Sequence, residues 1–325
     1  MLKLLSSSAC GICLLLVTLG IFSGFPDSAL ALKRSPAVDP VSSVHLTMGN
    51  PSQATPSEQN PTNYLMVKRT HALSYNRDRG GPNWVSWQLN SSWLGRVRRT
   101  EDWNADLSLP PAWDLISPSS YKGSGYDRGH MIPSDDRTKN TRDNSETFQM
   151  TNILPQAPDN NRGAWVELEK YARELVRQGN ELYIVAGGVG QKGAIARGKV
   201  TIPARTWKVI IVLERPGEGV NGINLSTRTI AVDIPNENGI SQDWQQFRTS
   251  IDKLEAYTGY DFLSVVPSDI QAAIESRVDG EIAFFNSRHI FGIAIFILVT
   301  TLVAVGLYKF RHSLLKCKPL PKNRT

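Results

Sequence analysis

Apolar and polar positions recur along this chain with two different periods, and the periods divide it into elements. Tyr64–Val67 and Ala72–Tyr75 read as short strands, and between Trp84 and Leu89 the residues Val85, Trp87 and Leu89 alternate with Trp84, Ser86 and Gln88 as in a half-buried strand. Tyr183–Ala186, Trp207–Leu213 and Thr229–Ile234 are richer in Val and Ile and predict strands that run through a core. After Asn161 a helical period takes over, with Trp165, Leu168, Ala172, Leu175 and Val176 on one side. A second helix is predicted from Trp244 to Tyr257, carrying Trp244, Phe247, Ile251 and Leu254. The mixture implies an α+β fold, an antiparallel sheet with helices packed against it.

The two ends depart from this pattern. Residues 1–31 begin with Lys3, continue through an apolar stretch from Gly11 to Phe22 and finish with Ser28-Ala29-Leu30-Ala31. That order predicts an export signal cut after Ala31, with an uncleaved anchor as the alternative. Residues 290–308 hold no charge, and at 1.5 Å rise per residue they would cross roughly 28 Å of hydrocarbon. They predict a transmembrane helix, followed by a basic tail over 309–325 that belongs in the cytoplasm. Export and anchor agree on one topology, with the middle of the chain outside the cytoplasm, in a periplasmic or extracellular space. Residues 32–59 hold Pro36, Pro40, Pro51 and Pro56 among Ser, Thr, Asn and Gln and predict a flexible leader. The folded domain is expected over 60–280, with a linker over 281–289.

Charge changes the picture less than its total suggests. The chain carries 36 Lys and Arg against 30 Asp and Glu, but from Pro61 to Glu281 the count is 26 against 27, so the basic excess lies in the ends. A site for an anionic substrate must therefore be a local cluster and not a field over the whole domain. Cys10, Cys13 and Cys317 all fall outside the domain, which excludes disulfides and thiolate zinc sites from it.

Between Lys122 and Arg162 there are many charges, three prolines and little periodicity, a stretch costly to order unless it surrounds a ligand or metal. His130 lies here, in Tyr126-Asp127-Arg128-Gly129-His130, where strand alternation points Arg128 and His130 to the same face. An imidazole is the usual proton acceptor near neutral pH, although a hydrogen-bonded structural histidine reads equally well; His71 has no comparable surroundings and reads as structural. Asn161, Trp165, Glu169 and Arg173 are spaced at four along the predicted helix. Either Asn160 or Asn161 caps that helix and Glu169 pairs with Arg173, or the amide oxygen of Asn161 and the carboxylate of Glu169 serve a hard, partly hydrated cation such as Mg2+.

Asp127-Arg128-Gly129-His130, then Met150-Thr151-Asn152-Ile153-Leu154-Pro155-Gln156, then Asn160-Asn161-Arg162-Gly163-Ala164-Trp165 with Glu169 and Arg173, resembles the DNA/RNA non-specific endonuclease family of the ββα-metal type, in particular its cyanobacterial sugar-non-specific branch. The resemblance covers roughly Tyr64 to Val278 and implies the ββα-metal nuclease fold. It implies hydrolysis of DNA and RNA, single- or double-stranded, to 5′-phosphate and 3′-hydroxyl ends, with Mg2+ as cofactor and Mn2+ able to replace it. It places the general base on His130, the direct metal ligand on Asn161, a carboxylate behind the metal on Glu169, and an acidic residue ordering metal-bound water on Asp127. The transition-state arginine falls on Arg99, with Arg98 beside it, and substrate-holding positions fall on Arg128, Arg173 and Asn152. An inhibitor protein is a further partner such an enzyme could require. The expected membrane helix departs from freely secreted members. Two other readings are a membrane-tethered binding or uptake module that does not cut, and a phosphodiesterase for small substrates.

Overall fold

The computed structural model describes residues 43–280. The expected export signal, membrane helix and basic tail lie outside the described residues, and among those described no helix is long and apolar enough to cross a membrane.

Seven antiparallel strands form the central sheet: β1 (Tyr64–Val67), β2 (Ala72–Asn76), β3 (Gly81–Leu89), β6 (Glu181–Val189), β9 (Arg205–Leu213), β10 (Arg228–Pro235) and β11 (Arg248–Thr249), in that spatial order. The remaining strands pair off as β4 (Asp127–His130) with β5 (Ile153–Gln156) and β7 (Gly193–Ile195) with β8 (Val200–Ile202). Because successive side chains leave a strand on opposite faces, β9 sends Ile210 and Val212 to one apolar core and Trp207, Val209, Ile211 and Leu213 to another. The first core is closed by Leu168, Ala172, Leu175 and Val176 of α2 (Val166–Arg177), the face expected from the sequence. The second is closed by Ile251 and Leu254 of α3 (Ile251–Thr258) and Ile274 of α4 (Ser268–Glu275). The α+β reading holds, and the active strand pair β4–β5 followed by α2 gives the ββα arrangement.

The sheet is covered on both faces, which overturns the half-buried reading of β3. Trp84 is as buried as Trp87, and Ser86 is buried too, its hydroxyl donating to the carbonyl of His45 at 2.6 Å. The cover over that end comes from residues 43–59, expected to be a flexible leader but ordered here. Met48 and Ala54 join the second core, His45 is buried, and the Ser52 hydroxyl accepts from the Trp84 indole at 2.8 Å. A Pro-rich polar composition cannot make a core alone, but a few anchors and backbone bonds to an existing sheet edge are enough to hold it, as in Leu65 N to Thr55 O at 2.9 Å. The helix expected over 244–257 is divided. Trp244–Phe247 is a 3-10 turn, Arg248 and Thr249 pair with β10, and the Ser250 side chain then caps α3 by accepting from Lys253 N.

The aperiodic segment is ordered by buried polar groups. Arg137, fully buried, donates to the carbonyls of Thr70, Gln88 and Asp136 and lies 4.1 Å over the Trp93 ring. Asn144, in α1 (Thr141–Glu146), bonds the carbonyls of Ser134 and Arg137. These bonds replace the apolar period that a helix or strand would have shown.

Candidate active site

Strand β4 presents the Asp-Arg-Gly-His run and β5 fixes it, with His130 opposite Ile153 and Gly129 opposite Leu154. Glycine is required at 129 by close approach: a Cβ there would meet Gln156 Oε1 at 1.8 Å and two more atoms of that side chain within 2.5 Å. Gln156 is fully buried and donates to Asn160 Oδ1 at 2.9 Å, while Asn160 donates to Thr206 and to the Pro235 carbonyl. The side chain beneath Gly129 thus ties the histidine strand to the turn that carries Asn161. We expect Gly129→Ala to cost about 1–3 kcal/mol of stability by overpacking and to lower activity further by separating these two elements. A thermal melt and a turnover assay check both, and a variant with wild-type melting and turnover would refute the coupling.

His130 is buried, and its ring packs on Trp103 (centroids 4.8 Å apart) and edge-on to Phe148 (5.0 Å). Its Nε2 has no hydrogen-bond partner, and its carbonyl accepts from the Trp165 indole at 3.2 Å. Burial, with the nearby charges of Arg99 and Arg128, pushes the imidazole down to about 3, so it is neutral at physiological pH and keeps a lone pair free. Arg128 stands 4.1 Å over the Trp103 ring that also covers His130, the shared face that strand alternation predicts. Arg99 lies 4.8 Å over Phe148 and donates to Ser134 Oγ and to Glu101.

Arg99, Glu101, Trp103, Lys122, Asp127, Arg128 and Asn161 line one open cleft of 620 Å³. Arg98 is exposed and is not among the residues of the cleft wall. Asn161 does not continue the α2 stripe. Asn160–Trp165 forms a wide turn with a kink at Gly163, and the Asn161 amide instead donates to Asp127 Oδ2 at 2.9 Å. Asp127 also takes two bonds from Arg162, at 2.8 and 2.6 Å. Burial pushes the Asp127 carboxyl up, but the bonds from Arg162 and Asn161 and the charges of Arg162 and Arg128 outweigh it and hold the group below its ordinary range. With its NH2 committed to Asp127, Asn161 keeps an amide oxygen without a hydrogen-bond partner among the described residues, on the wall of the cleft and beside an ionised carboxylate. Two hard oxygen donors without a thiol suit an oxygen-preferring cation such as Mg2+ and not a soft one.

Three residues of the expected set lie off the cleft wall: Glu169, expected behind the metal, and Arg173 and Asn152, expected to hold substrate. Glu169 is not on the cleft wall; it sits in a buried charge network, 3.5 Å from Lys208 Nζ. Burial raises its carboxyl to about 7, Lys208 and Arg173 pull it down, and Asp136 and Asp135 push it up. Arg173, also buried, bonds Asp136 at 3.0 Å and so cannot hold substrate directly. Asn152 is corrected as well. It is fully buried and its amide is saturated by Ile132 N, Ile132 O and Thr147 O, so it shapes the chain after His130 and does not touch a ligand. Lys208, 4.0 Å over the Trp165 ring and buried in the middle of β9, was missed by sequence reading. A lone Lys inside a Trp-Val-Ile run was the available signal, since lysine is almost never fully buried unless paired.

The profile of the DNA/RNA non-specific endonuclease family matches residues 48–269. A nuclease of Nostoc sp. is 57% identical over 242 residues, covering 74% of this chain and 88% of that protein. Human mitochondrial nuclease EXOG is 30% identical over 210 residues, 59% of this chain and 55% of its own length. Among solved structures, a chain of the complex between EndoG and EndoGI aligns with a TM-score of 0.57 at 24% identity, over 69% of this chain and 91% of that one, a likeness of fold.

Proposed function

Since the chain belongs to the DNA/RNA non-specific endonuclease family and is a nuclease, we propose that it is Mg2+-dependent, with Mn2+ able to replace Mg2+, and that His130 is its general base. The observation that carries this reading is a neutral, buried imidazole with an unpartnered Nε2, packed through Trp103 against Arg128 and adjoining a cleft that holds Arg99, Asp127 and Asn161.

His130 Nε2 accepts a proton from water as the water oxygen bonds to phosphorus, and the phosphorus–O3′ bond breaks as O3′ takes a proton from a second water in the open cleft, leaving a 5′-phosphate and a 3′-hydroxyl. Arg99 and Arg128 donate charge-assisted hydrogen bonds to the non-bridging oxygens. The incoming phosphate neutralises the two cations that depress His130, so the base strengthens as substrate binds. Asn161 Oδ1 and Asp127 would hold the cation, directly or through water, and when bound it supplies stabilisation of the charge that grows on the leaving oxygen. Glu169, whose carboxyl burial raises to about 7 against the pull of Lys208 and Arg173, backs this region. Water as nucleophile makes the 2′-hydroxyl unnecessary, so DNA and RNA both serve, and contacts to phosphate alone read no base sequence.

The purified protein should nick and linearise supercoiled plasmid and degrade RNA with Mg2+, and EDTA should abolish both. Retention of nucleic acid without cleavage would favour a binding module, and phosphate release from monoesters without polymer cleavage a small-substrate esterase; either result overturns the proposal. Export and anchoring outside the cytoplasm are part of the same reading, checked by fractionation with protease access. An inhibitor protein is proposed as a partner too, in keeping with the EndoG chain, which is solved with EndoGI.

A further inference from the structure

On the face of the sheet covered by α3 and α4, we propose a second cation site, formed by Asp252, Glu255 and Glu275, that takes Ca2+ and clamps the two helices together. It does not depend on the nuclease reading.

Asp252 and Glu255 are three apart on α3 and so share a side of that helix. Glu275 is the last residue of α4 and meets them there, so that one ligand oxygen from each of the three residues lies within 4.8 Å of the other two. Carboxylates at the surface often gather without a cation, but Glu275 is not at the surface. It is 4% exposed, and its Oε1 is buried with no hydrogen-bond partner, an arrangement that costs free energy unless something else satisfies the oxygen. The position at the C-terminal end of α4 adds the negative end of the helix dipole to the same spot.

Lys253, the cation next to Asp252 on α3, forms no ion pair among the described residues, while three arginines of the flanking segments are committed to other partners. Arg228 bonds Asp279 through two nitrogens, Arg277 bonds the Leu225 carbonyl, and Arg248 bonds the Gln245 carbonyl. Asp261 adds a further negative charge and takes the amide of Gln271. The donors are already fixed in part, since Glu255 Oε1 accepts from Phe262 N at 2.9 Å. Three hard oxygens from two helices, with Asp252 exposed so that water can complete the shell, fit the flexible six- to eight-fold coordination of Ca2+ better than the strict octahedron of Mg2+.

The test is a thermal melt of the Asn161→Ala protein, in which the cleft site is impaired, in EDTA and then in saturating CaCl2. We expect Ca2+ to raise Tm by about 5 °C or more, and the further change Glu275→Gln or Asp252→Asn to remove most of that rise. In EDTA the Glu275→Gln variant should melt no lower than its parent, because burial and the neighbouring Glu255 push the Glu275 carboxyl up to about 8, so that without a cation at neutral pH a neutral amide replaces a mostly uncharged carboxyl of similar size. Isothermal titration with CaCl2 should give one site in the Asn161→Ala protein and none after Glu275→Gln. A Ca2+ response absent from the Asn161→Ala protein, or undiminished by both substitutions, would overturn the site.

Discussion

His130→Ala is expected to lower the rate of the chemical step by about 10²–10⁴ or more while nucleic-acid affinity changes little. The separation follows from the proposed mechanism, in which Arg99 and Arg128 on the cleft wall contact the phosphate, whereas His130 is buried beneath Trp103. A binding assay in EDTA and single-turnover kinetics in Mg2+ measure the two terms independently. Deleting the ring also leaves Trp103 and Phe148 facing a void, so the melt must be recorded alongside. His130→Asn, which fills more of that space, should be as slow and more stable. Turnover near wild type in either variant would remove His130 from the base role. The acid side of the pH profile is a second check. Burial and two arginines hold the imidazole at about 3, so the free enzyme keeps its base unprotonated well below pH 6.5. Replacing Arg128 by Gln removes one of these charges and should move that limb upward in kcat/KM.

The same buried histidines set the acid limit of folding. His45 is pushed down to about 4 by burial, and His71 also falls well below its ordinary value. A histidine whose folded pKa is depressed contributes stability that is present above about 6.5 and is lost as pH falls toward the folded value. The fold therefore weakens as pH falls below about 6.5, and the carboxylates of Asp106 and Asp127, both held below their ordinary range, add a further loss once pH falls below the ordinary carboxylate value of about 4.

The chain discloses the strands and the chemistry unequally. The Val- and Ile-rich runs that became β6, β9 and β10, and the apolar face of α2, are local periodicities, so each is readable without knowing its partner. Asp127, Arg128 and His130 draw notice because they share one short strand, where alternation is a local rule, whereas Asn161 reaches Asp127 from a wide turn and not along the helical stripe that its spacing predicts. What was not readable depends on contacts between distant segments. Gln156 beneath Gly129, Trp103 over His130 and Ser52 on Trp84 join residues 27 to 32 positions apart in the chain, and no period marks them. Asn152 shows the converse error. Its motif placed it beside the site correctly, but only its burial and three bonds to backbone reveal that it holds the chain and not the substrate.

Lys208→Met tests the part of the site that sequence reading missed. Lys208 and Glu169 are both buried, at 3.5 Å, and Arg173 supports the same carboxylate. Removing one member of a buried ion pair costs about 3–5 kcal/mol when the other stays charged, but Glu169 has an escape, since its carboxyl is already raised to about 7 and would rise further without the lysine. Above its unfolded pKa the unfolded chain has released a proton that the folded chain retains. Stability therefore falls as pH rises, by up to about 1.4 kcal/mol per unit, until the folded pKa is passed. In the wild type this fall ends near pH 7, and in the variant it continues to higher pH. The difference in unfolding free energy between the two proteins, measured in EDTA, should thus be smallest near pH 5 and grow to about 3 kcal/mol near pH 9. Activity should show the same cause: with Glu169 protonated at neutral pH, the variant needs more Mg2+, and the requirement eases as pH is raised. Adding Glu169→Gln to Lys208→Met removes the unpaired charge and should restore stability at high pH without restoring the metal response. A pH-independent loss of stability, or a double variant no more stable at pH 9 than the single, would show that Lys208 acts through packing on Trp165 and not through the charge of Glu169.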